Sequence, residues 1–300
     1  YWGSKFMWRG LELLFQLHRT YRANIRSSRP QAGFQTGKAL VFDHRHSEEE
    51  QEQETTSKQT NEKFIWDFTN PKKYSYTFKQ TAETISKLAQ NDTPSFSKSE
   101  INGLINVVVK KENTADFSLT DATTTFTTFN NDGKIKDTIS QALPPSVIEN
   151  IQPNSTAVAS SNLNILLNIV FPLPLHDIAI GEINKIPMQM PFNVRGSALE
   201  ATGFNTLTYA GDTTFEGEQC AILKGKIDIS KLDLPKELST GEYKCSTIGE
   251  AVYYFNYNKH YFVAVDAKVN MAFLVNVPAN SEKVTRAMYS EMTSDNVYSL

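Results

Sequence analysis

Two cysteines, Cys220 and Cys245, are the only thiols in the chain. They could close a disulfide in an oxidising compartment or remain as buried free thiols. If Ser230 and Gly241 close a simple hairpin between the strands that carry them, Cys220 faces Ala251, six residues from Cys245. Six residues of strand span about 20 Å, far beyond the roughly 4.4–6.8 Å that a disulfide needs between Cα atoms. The spacing favours free thiols, and a longer loop or another strand order keeps the disulfide open.

The histidines give only weak signals for metal or acid–base chemistry. His44 and His46 precede a run of glutamates, and this set could hold a transition metal loosely or form a solvated polar tail. His176 and Asp177 would be two members of a Ser/His/Asp triad, but no Gly-x-Ser-x-Gly segment supplies a nucleophile. His260 falls among tyrosines in a predicted hairpin, where packing is its expected role. We therefore predict no catalytic residue, no metal site and no cofactor.

Other ligand classes find little support in the sequence. None of the 14 glycines forms a Gly-x-Gly-x-x-Gly run, so no phosphate-binding loop is expected. The 30 basic and 33 acidic residues are nearly balanced, which argues against a dedicated nucleic-acid binder. Asn91 and Asn154 begin glycosylation sequons, which matter only in a secretory eukaryotic host.

The charge is unevenly distributed along the chain. The first 47 residues carry a net charge of +6, whereas the remainder carries −9. Aromatic, leucine and arginine residues mix near the start and predict a basic amphipathic helix over residues 1–27, which could contact a membrane surface or lie outside the fold. Residues 28–62 have few apolar side chains to bury and are predicted to be a disordered charged linker.

Neither a signal peptide nor a membrane span is expected from the apolar runs. The first apolar run is broken by Glu12, Gln16 and His18, and no small-residue cleavage site follows it. The longest apolar run, from Ile165 to Leu175, contains an asparagine and two prolines and is shorter than the roughly 20 residues that cross a bilayer.

From residue 63 onward, apolar residues recur with the period of two that is typical of strands. Tyr74, Tyr76 and Phe78 alternate with polar residues, as in a half-buried strand. Further predicted strands are Ile101–Lys110, Phe117–Phe129, Phe204–Phe215, Gln219–Ile229, Thr247–Tyr257 and Tyr261–Val277. Predicted turns are Asn131-Asp132-Gly133, Glu216-Gly217-Glu218 and Asn258-Lys259. The stretch Lys283–Leu300 could be a final strand or a short helix.

Two segments are candidates for helices between the strands. Residues 158–172 are apolar nearly all round, so periodicity does not separate a buried helix from a buried strand. The stop at Pro172 and the polar start at Ser160 favour a short helix. Pro144-Pro145-Ser146 offers a second helix start, with Val147, Ile148 and Ile151 on one face.

These elements predict one mainly β domain over residues 63–300. About nine to eleven strands over roughly 240 residues would form an open sheet so large that it usually curls or splits. We predict an antiparallel, strongly curved sheet or half-barrel with one or two short helices packed on it. The alternative is a two-layer β-sandwich.

A resemblance to a protein family is localised in residues 170–276. The segments Phe171-Pro172-Leu173-Pro174 and Ile178-Ala179-Ile180-Gly181-Glu182 are followed by Gly217–Ile222 and Gly249–Asn256. Together they resemble bacterial cell-envelope proteins and lipoproteins of unknown function, which are similar in outline to half-barrel carriers of the LolA and LppX type. This resemblance implies an extracytoplasmic setting, in the periplasm or at the cell surface, and no catalytic residues.

Three functional hypotheses follow from the sequence. The first is a non-enzymatic envelope protein that binds an apolar ligand such as a lipid in a curved-sheet cavity, or that has a structural role. The second is a surface interaction or adhesion module built as a β-sandwich, with aromatic patches on its surface. The third is a hydrolase whose convergent carboxylates or Ser/His pair are brought together only by folding.

Overall fold

The computed structural model describes residues 63–156, 162–194, 197–234, 241–277 and 288–300. All of them belong to one compact unit, Thr60–Leu300. The predicted basic helix over residues 1–27 and the predicted linker over residues 28–62 lie outside the described residues, as do His44 and His46. No helix in the described part of the chain is long and apolar enough to cross a membrane.

The described residues form eleven strands and one helix. The first five strands are β1 (Lys73–Lys87), β2 (Ser95–Val109), β3 (Ala115–Phe129), β4 (Ile135–Ala142) and β5 (Ser146–Ile151). The helix α1 (Asn162–Val170) follows them. The last six strands are β6 (Ile183–Val194), β7 (Ser197–Phe215), β8 (Glu218–Leu232), β9 (Glu242–Asn256), β10 (Tyr261–Val277) and β11 (Met288–Ser299).

All eleven strands join one antiparallel sheet. Its order is β4-β3-β2-β1-β11-β10-β9-β8-β7-β6, with β5 paired to β3. The predicted antiparallel β fold is therefore confirmed, and the two-layer sandwich is not what the described residues form. Pairing of β1 with β11 brings Ile85 opposite Thr293, so strands from the two ends of the domain lie side by side at the centre of the sheet.

Local sequence explains where several of the hairpins turn. Glu216 and Gly217 have φ angles of 51° and 82°, so both lie in the left-handed region that tight hairpin turns require. Gly133 has a φ of 79° at the turn between β3 and β4. The turn between β9 and β10 includes Lys259 and ends at His260, whose φ is 56°. The three predicted turns are therefore found where their sequences place them.

The helix α1 has the position that the sequence predicts, whereas the second predicted helix is wrong. The last backbone hydrogen bond of the α1 turn runs from Phe171 N to Leu167 O at 2.8 Å, and Pro172 cannot continue the pattern. The segment after Pro144-Pro145 is strand β5. Ile148 and Ile151 are buried there opposite β3, whereas Val147 is exposed, so the three residues do not share one face.

The sheet is strongly curved around α1. Strands β5 and β6 lie near opposite ends of the strand order, yet both contact α1. Thr247 Oγ1 on β9 lies 3.4 Å from Met190 Sδ on β6. These two strands are three spacings apart, which is about 14 Å in a flat sheet. Only a sheet that wraps around its concave face brings them into contact.

The two edges of the sheet differ. The edge strand β6 contains Pro187 and Pro191, which cannot donate a backbone hydrogen bond and so limit pairing with another strand. The opposite edge strand, β4, has no proline, and all eight of its residues are exposed. The β4 edge is therefore the one open to further contacts.

Candidate functional site

The sheet has two faces and two ends, and each carries different side chains. The concave face is the one that packs against α1, and the outer face is its opposite. The upper end carries the start of β1 and the end of β9, at Lys73 and Asn256. The lower end carries the end of β1 and the start of β2, at Lys87 and Ser95.

Aromatic side chains fill the upper half of the concave face. The segment 63–68, here called the strap, buries Phe64, Trp66 and Phe68. The centroid of the Trp66 ring lies 5.3 Å from the ring centroids of both Phe171, after α1, and Phe262, on β10. Trp66 Nε1 donates a hydrogen bond to Ser155 Oγ at 2.9 Å, so the buried indole has its partner. This half of the concave face is therefore a packed core.

Tyr253 on β9 ties the sheet to the C-terminal end of α1. Its ring lies over Gly225 of β8, where a Cβ atom would come within 2.9 Å of the ring. The Tyr253 hydroxyl donates a hydrogen bond to Ile169 O at 2.9 Å and accepts one from Asn205 Nδ2 at 3.2 Å. One of the last carbonyls of the helix is thereby satisfied from the sheet. Burial raises the pKa of Tyr253, which keeps the hydroxyl protonated as a donor.

A lysine held between tyrosines marks the start of the strap. Lys63 Nζ donates a hydrogen bond to the Tyr209 hydroxyl at 2.8 Å. The same Nζ lies 4.3 Å from the Tyr209 ring centroid and 4.4 Å from that of Tyr257, within cation–π range. The Tyr209 hydroxyl donates to Asp212 Oδ1 at 2.5 Å. Burial and then Asp212 raise the pKa of Tyr209, so this phenol is a neutral anchor rather than a nucleophile.

The His176–Asp177 pair supports this same end of the molecule. Asp177 Oδ1 accepts hydrogen bonds from the backbone N–H groups of Lys63, at 2.9 Å, and Phe64, at 3.3 Å. His176 Nε2 lies 3.0 Å from Asn184 Nδ2 at the start of β6. The pair thus positions the strap and the chain that leads from α1 into β6.

His260 and the acidic residues give no metal centre in the described ranges. The His260 carbonyl accepts a hydrogen bond from Asp67 N at 3.1 Å, so this residue also holds the strap. Within the residues that the structure describes, no group of three or more His, Cys, Asp or Glu residues is placed to hold a metal ion.

The structure has two free, buried thiols. Strands β8 and β9 pair with Ala221 opposite Phe255, which differs by five positions from the simple hairpin register expected from the sequence. Cys220 lies near the upper end of β8, whereas Cys245 lies near the lower end of β9. The two thiols are therefore too far apart to form a disulfide in this structure. Burial raises the pKa of the Cys245 thiol to about 11, so this thiol is unreactive near neutral pH.

The lower half of the concave face is lined differently, by methionines on one side. Four of the six methionines of the chain project from β6, β10 and β11 toward this face: Met188, Met190, Met271 and Met292. Met188 is buried, whereas the other three are half-buried. We call this set the methionine wall. Long, unbranched and polarisable side chains suit a surface that adapts to apolar groups of varied shape.

A wall of amides and hydroxyls continues from the methionine wall on β11 and β1. Met271 pairs with Ser294, whose Oγ accepts a hydrogen bond from Thr84 Oγ1 at 2.9 Å. Further along, Gln80 Nε2 donates to Asn296 Oδ1 at 3.2 Å. The inward positions of β10, β11, β1 and β2 at this end carry no charged side chain. The lower half of the concave face is therefore amphipathic and uncharged along these four strands.

Two buried hydroxyls on β3, beside this polar wall, have no hydrogen-bond partner: Thr124 Oγ1 and Thr128 Oγ1. Thr124 on β3 is 6% exposed, and its Oγ1 makes no hydrogen bond. Thr124 pairs with Ile101, which faces the concave side. A buried hydroxyl without a partner costs about 1–3 kcal/mol, so a polar group supplied by a ligand would lower this cost.

A surface cavity lies elsewhere, at the turns of the lower end. Its volume is about 310 Å³, and it opens to solvent. It lies between the β1–β2 and β3–β4 connections and is lined by Thr93, Pro94, Phe96, Phe129, Asn130, Asn131 and Gly133. This cavity is on the outer side of the sheet, whereas the concave side of the upper end is filled by the strap.

The methionine wall was missed by reasoning from the sequence, although one signal was available. Met188 and Met190 stand two residues apart in a strand that also contains two prolines, a spacing that places both side chains on one face. Their approach to Met271 depends on the curvature of the sheet.

No protein-family model matches the chain, and no curated protein shows significant sequence similarity to it.

Proposed function

We propose that this is a non-enzymatic protein of the bacterial cell envelope that binds an amphiphilic ligand, such as a lipid, on the lower half of its concave face. The observation that carries this proposal is the methionine wall beside a polar, uncharged wall. Acyl chains would contact the side chains of Met190, Met271 and Met292, and a polar head would face Ser294 and Asn296. The envelope location rests on the family resemblance of residues 170–276.

The packing of the molecule supports a ligand at the lower end rather than at the upper end. The strap and Phe171 occupy the upper half of the concave face, so a ligand there would have to displace a packed aromatic core. At the lower end, Met190, Met271 and Met292 are only half-buried and can contact a ligand without displacement of the strap.

The filled upper half also favours a second candidate, in which the domain is purely structural. In that case the methionine wall would be a loosely packed margin of the core. The two candidates differ in one measurable property, because only the first requires a ligand to bind reversibly at the lower end.

The test compares Met271→Gln with Val297→Gln by titration of a fluorescent acyl lipid into the full chain. Met271 faces the methionine wall, whereas Val297 is 42% exposed on the outer face of the neighbouring strand β11. Replacing the thioether with an amide should weaken lipid binding by about tenfold or more, equivalent to roughly 1.4 kcal/mol. Val297→Gln should bind as the original chain does.

Native mass spectrometry of gently purified protein provides the second measurement. A co-purified lipid that is depleted in Met271→Gln, at unchanged thermal stability, supports the binding proposal. A chain that neither retains nor takes up any lipid contradicts the binding proposal and leaves the structural candidate.

A further inference from the structure

An exposed apolar stripe crosses four neighbouring strands on the outer face of the lower end. Ile85 on β1 pairs with Phe96 on β2, and Phe129 on β3 pairs with Ile135 on β4. The Phe96 and Phe129 rings lie 4.9 Å apart, which joins the two pairs. Ile85, Phe96 and Ile135 are 52%, 38% and 65% exposed. We call these four residues the outer stripe.

Further features surround the outer stripe. The 310 Å³ cavity includes Phe96 and Phe129 in its lining. A smaller cavity, of about 90 Å³, adjoins Ile85 and lies between β1 and β11. Leu88, in the turn that follows β1, is 58% exposed. An exposed apolar patch with adjoining clefts can mark a binding surface.

We propose that the outer stripe is a docking surface for a phospholipid bilayer. This inference rests on the proposed function, because docking on a bilayer would bring the methionine wall to the source of the lipid. Ile85 and Ser86 are consecutive, and Ser86 pairs with Met292 on the concave side. The outer stripe and the methionine wall thus lie on opposite faces of the sheet, both at its lower end.

The size of the outer stripe favours a bilayer over a protein partner. Four partly exposed side chains offer a few hundred Å² of apolar surface, within the range of about 300–600 Å² for the largest patch of a typical monomer. A stable protein interface buries about 800 Å² on each partner. Apolar side chains near the ends of strands can instead enter the boundary between head groups and acyl chains.

The charges around the outer stripe indicate which lipids it would contact. Residues 83–98 and 129–142 contain four lysines and four carboxylates. Two of these lysines have carboxylate partners, Lys98 with Glu100 and Lys134 with Asp132. With no excess of positive charge, the stripe should bind zwitterionic vesicles by apolar insertion and with little dependence on salt.

The test is flotation of the full chain with phosphatidylcholine vesicles. Ile135→Asp changes a 65% exposed residue on an edge strand, so it should not disturb the core. Phe96→Asp changes the centre of the stripe. Phe204→Asp is the matched control, since Phe204 is 47% exposed on β7 and lies far from the stripe in the strand order. Circular dichroism confirms that each variant is folded.

We expect the original chain and Phe204→Asp to float with phosphatidylcholine vesicles. The two stripe variants should lose about tenfold or more in partitioning, equivalent to roughly 1.4 kcal/mol each. Binding that requires anionic lipid and disappears with salt would point to the basic residues of 1–27 and overturn the proposal. So would a dimer that Phe96→Asp converts to a monomer, because the occupant would then be a second copy of the chain.

Failure of this inference is distinguishable from failure of the proposed function. Uptake of a soluble fluorescent acyl lipid by Phe96→Asp should match that of the original chain, because the methionine wall is intact. Lipid uptake without vesicle flotation would remove the docking surface and keep the ligand site. Vesicle flotation that is sensitive to Phe96→Asp but occurs without any lipid uptake would keep the docking surface and remove the ligand site.

Discussion

Single side chains on the concave face perform tasks that their sequence neighbours do not. Tyr253 and Tyr254 are adjacent and chemically identical, yet only Tyr253 reaches α1. Tyr254 stacks on Phe215 of β7, with ring centroids 4.1 Å apart. The difference comes from the alternation of side chains along a strand, which sends neighbouring residues to opposite faces.

For this single side chain we predict that Tyr253→Phe destabilises the domain. The change removes the donor to Ile169 O and leaves Asn205 Nδ2, already in a fully buried residue, without its hydroxyl partner. The free energy of unfolding in urea should fall by about 1–3 kcal/mol. Tyr254→Phe is the control, and it should change stability by less than about 0.5 kcal/mol. Equal effects of the two changes would contradict the capping role of Tyr253.

Among the elements, the strap is held by a short polar segment at its end. Asp67 forms an ion pair with Lys72 and accepts a hydrogen bond from Thr69 N at 3.1 Å. Hydrogen bonds from Lys72 and Thr69 lower the pKa of Asp67 from 3.8 to about 2. The strap therefore depends on a carboxylate that favours its charged form in the folded state.

This shift predicts how the stability of the domain depends on pH. Because the folded pKa of Asp67 lies below its unfolded value, its contribution is complete above about pH 4 and is lost as the pH falls through about 2. Urea unfolding of the original chain and of Asp67→Asn at pH 5, 3.5 and 2.5 measures the contribution of Asp67 to the free energy of unfolding. The difference in stability between the two should shrink as the pH falls. A constant difference across this range would show that the carboxylate is not coupled to folding.

For the molecule as a whole, the single described helix serves as the core around which the sheet curves. Strands from both ends of the sheet order contact α1, so it joins regions that the sheet alone would hold far apart. Ile165, Leu167 and Ile169 are buried along it, whereas Leu166 is half-buried. Loss of packing at α1 should therefore destabilise the whole domain.

We accordingly predict that Leu167→Ala lowers the free energy of unfolding by about 2–5 kcal/mol, through lost burial and a cavity. Leu166→Ala, on the less buried side of the same helix, should cost distinctly less. Chemical denaturation followed by both circular dichroism and tryptophan fluorescence should give one coincident transition for each variant. Separate transitions for the two probes would show that the helix and the sheet unfold independently.

The sequence by itself determined the strands, the turns and α1, because these depend on nearby residues. Alternation at Tyr74, Tyr76 and Phe78 marks β1, positive φ at Gly217 closes a hairpin, and Pro172 ends the helix. The segment after Pro145 was misassigned, because its apolar spacing fits a helix and its partner β3 decided otherwise. The structure has two free thiols, and its β8–β9 register differs from the hairpin register assumed from the sequence.

Only the tertiary structure decided which strands are neighbours and how far the sheet curves. The pairing of β1 with β11 joins residues about 200 positions apart, which no local pattern encodes. Curvature then brings Met190 to Thr247, and strand order places Phe96 beside Phe129 in the outer stripe. The methionine wall and the outer stripe each consist of residues that lie far apart in the sequence and form one surface only through long-range strand pairing. The reason is physical, since strand propensity is local whereas register and curvature come from packing across the whole sheet.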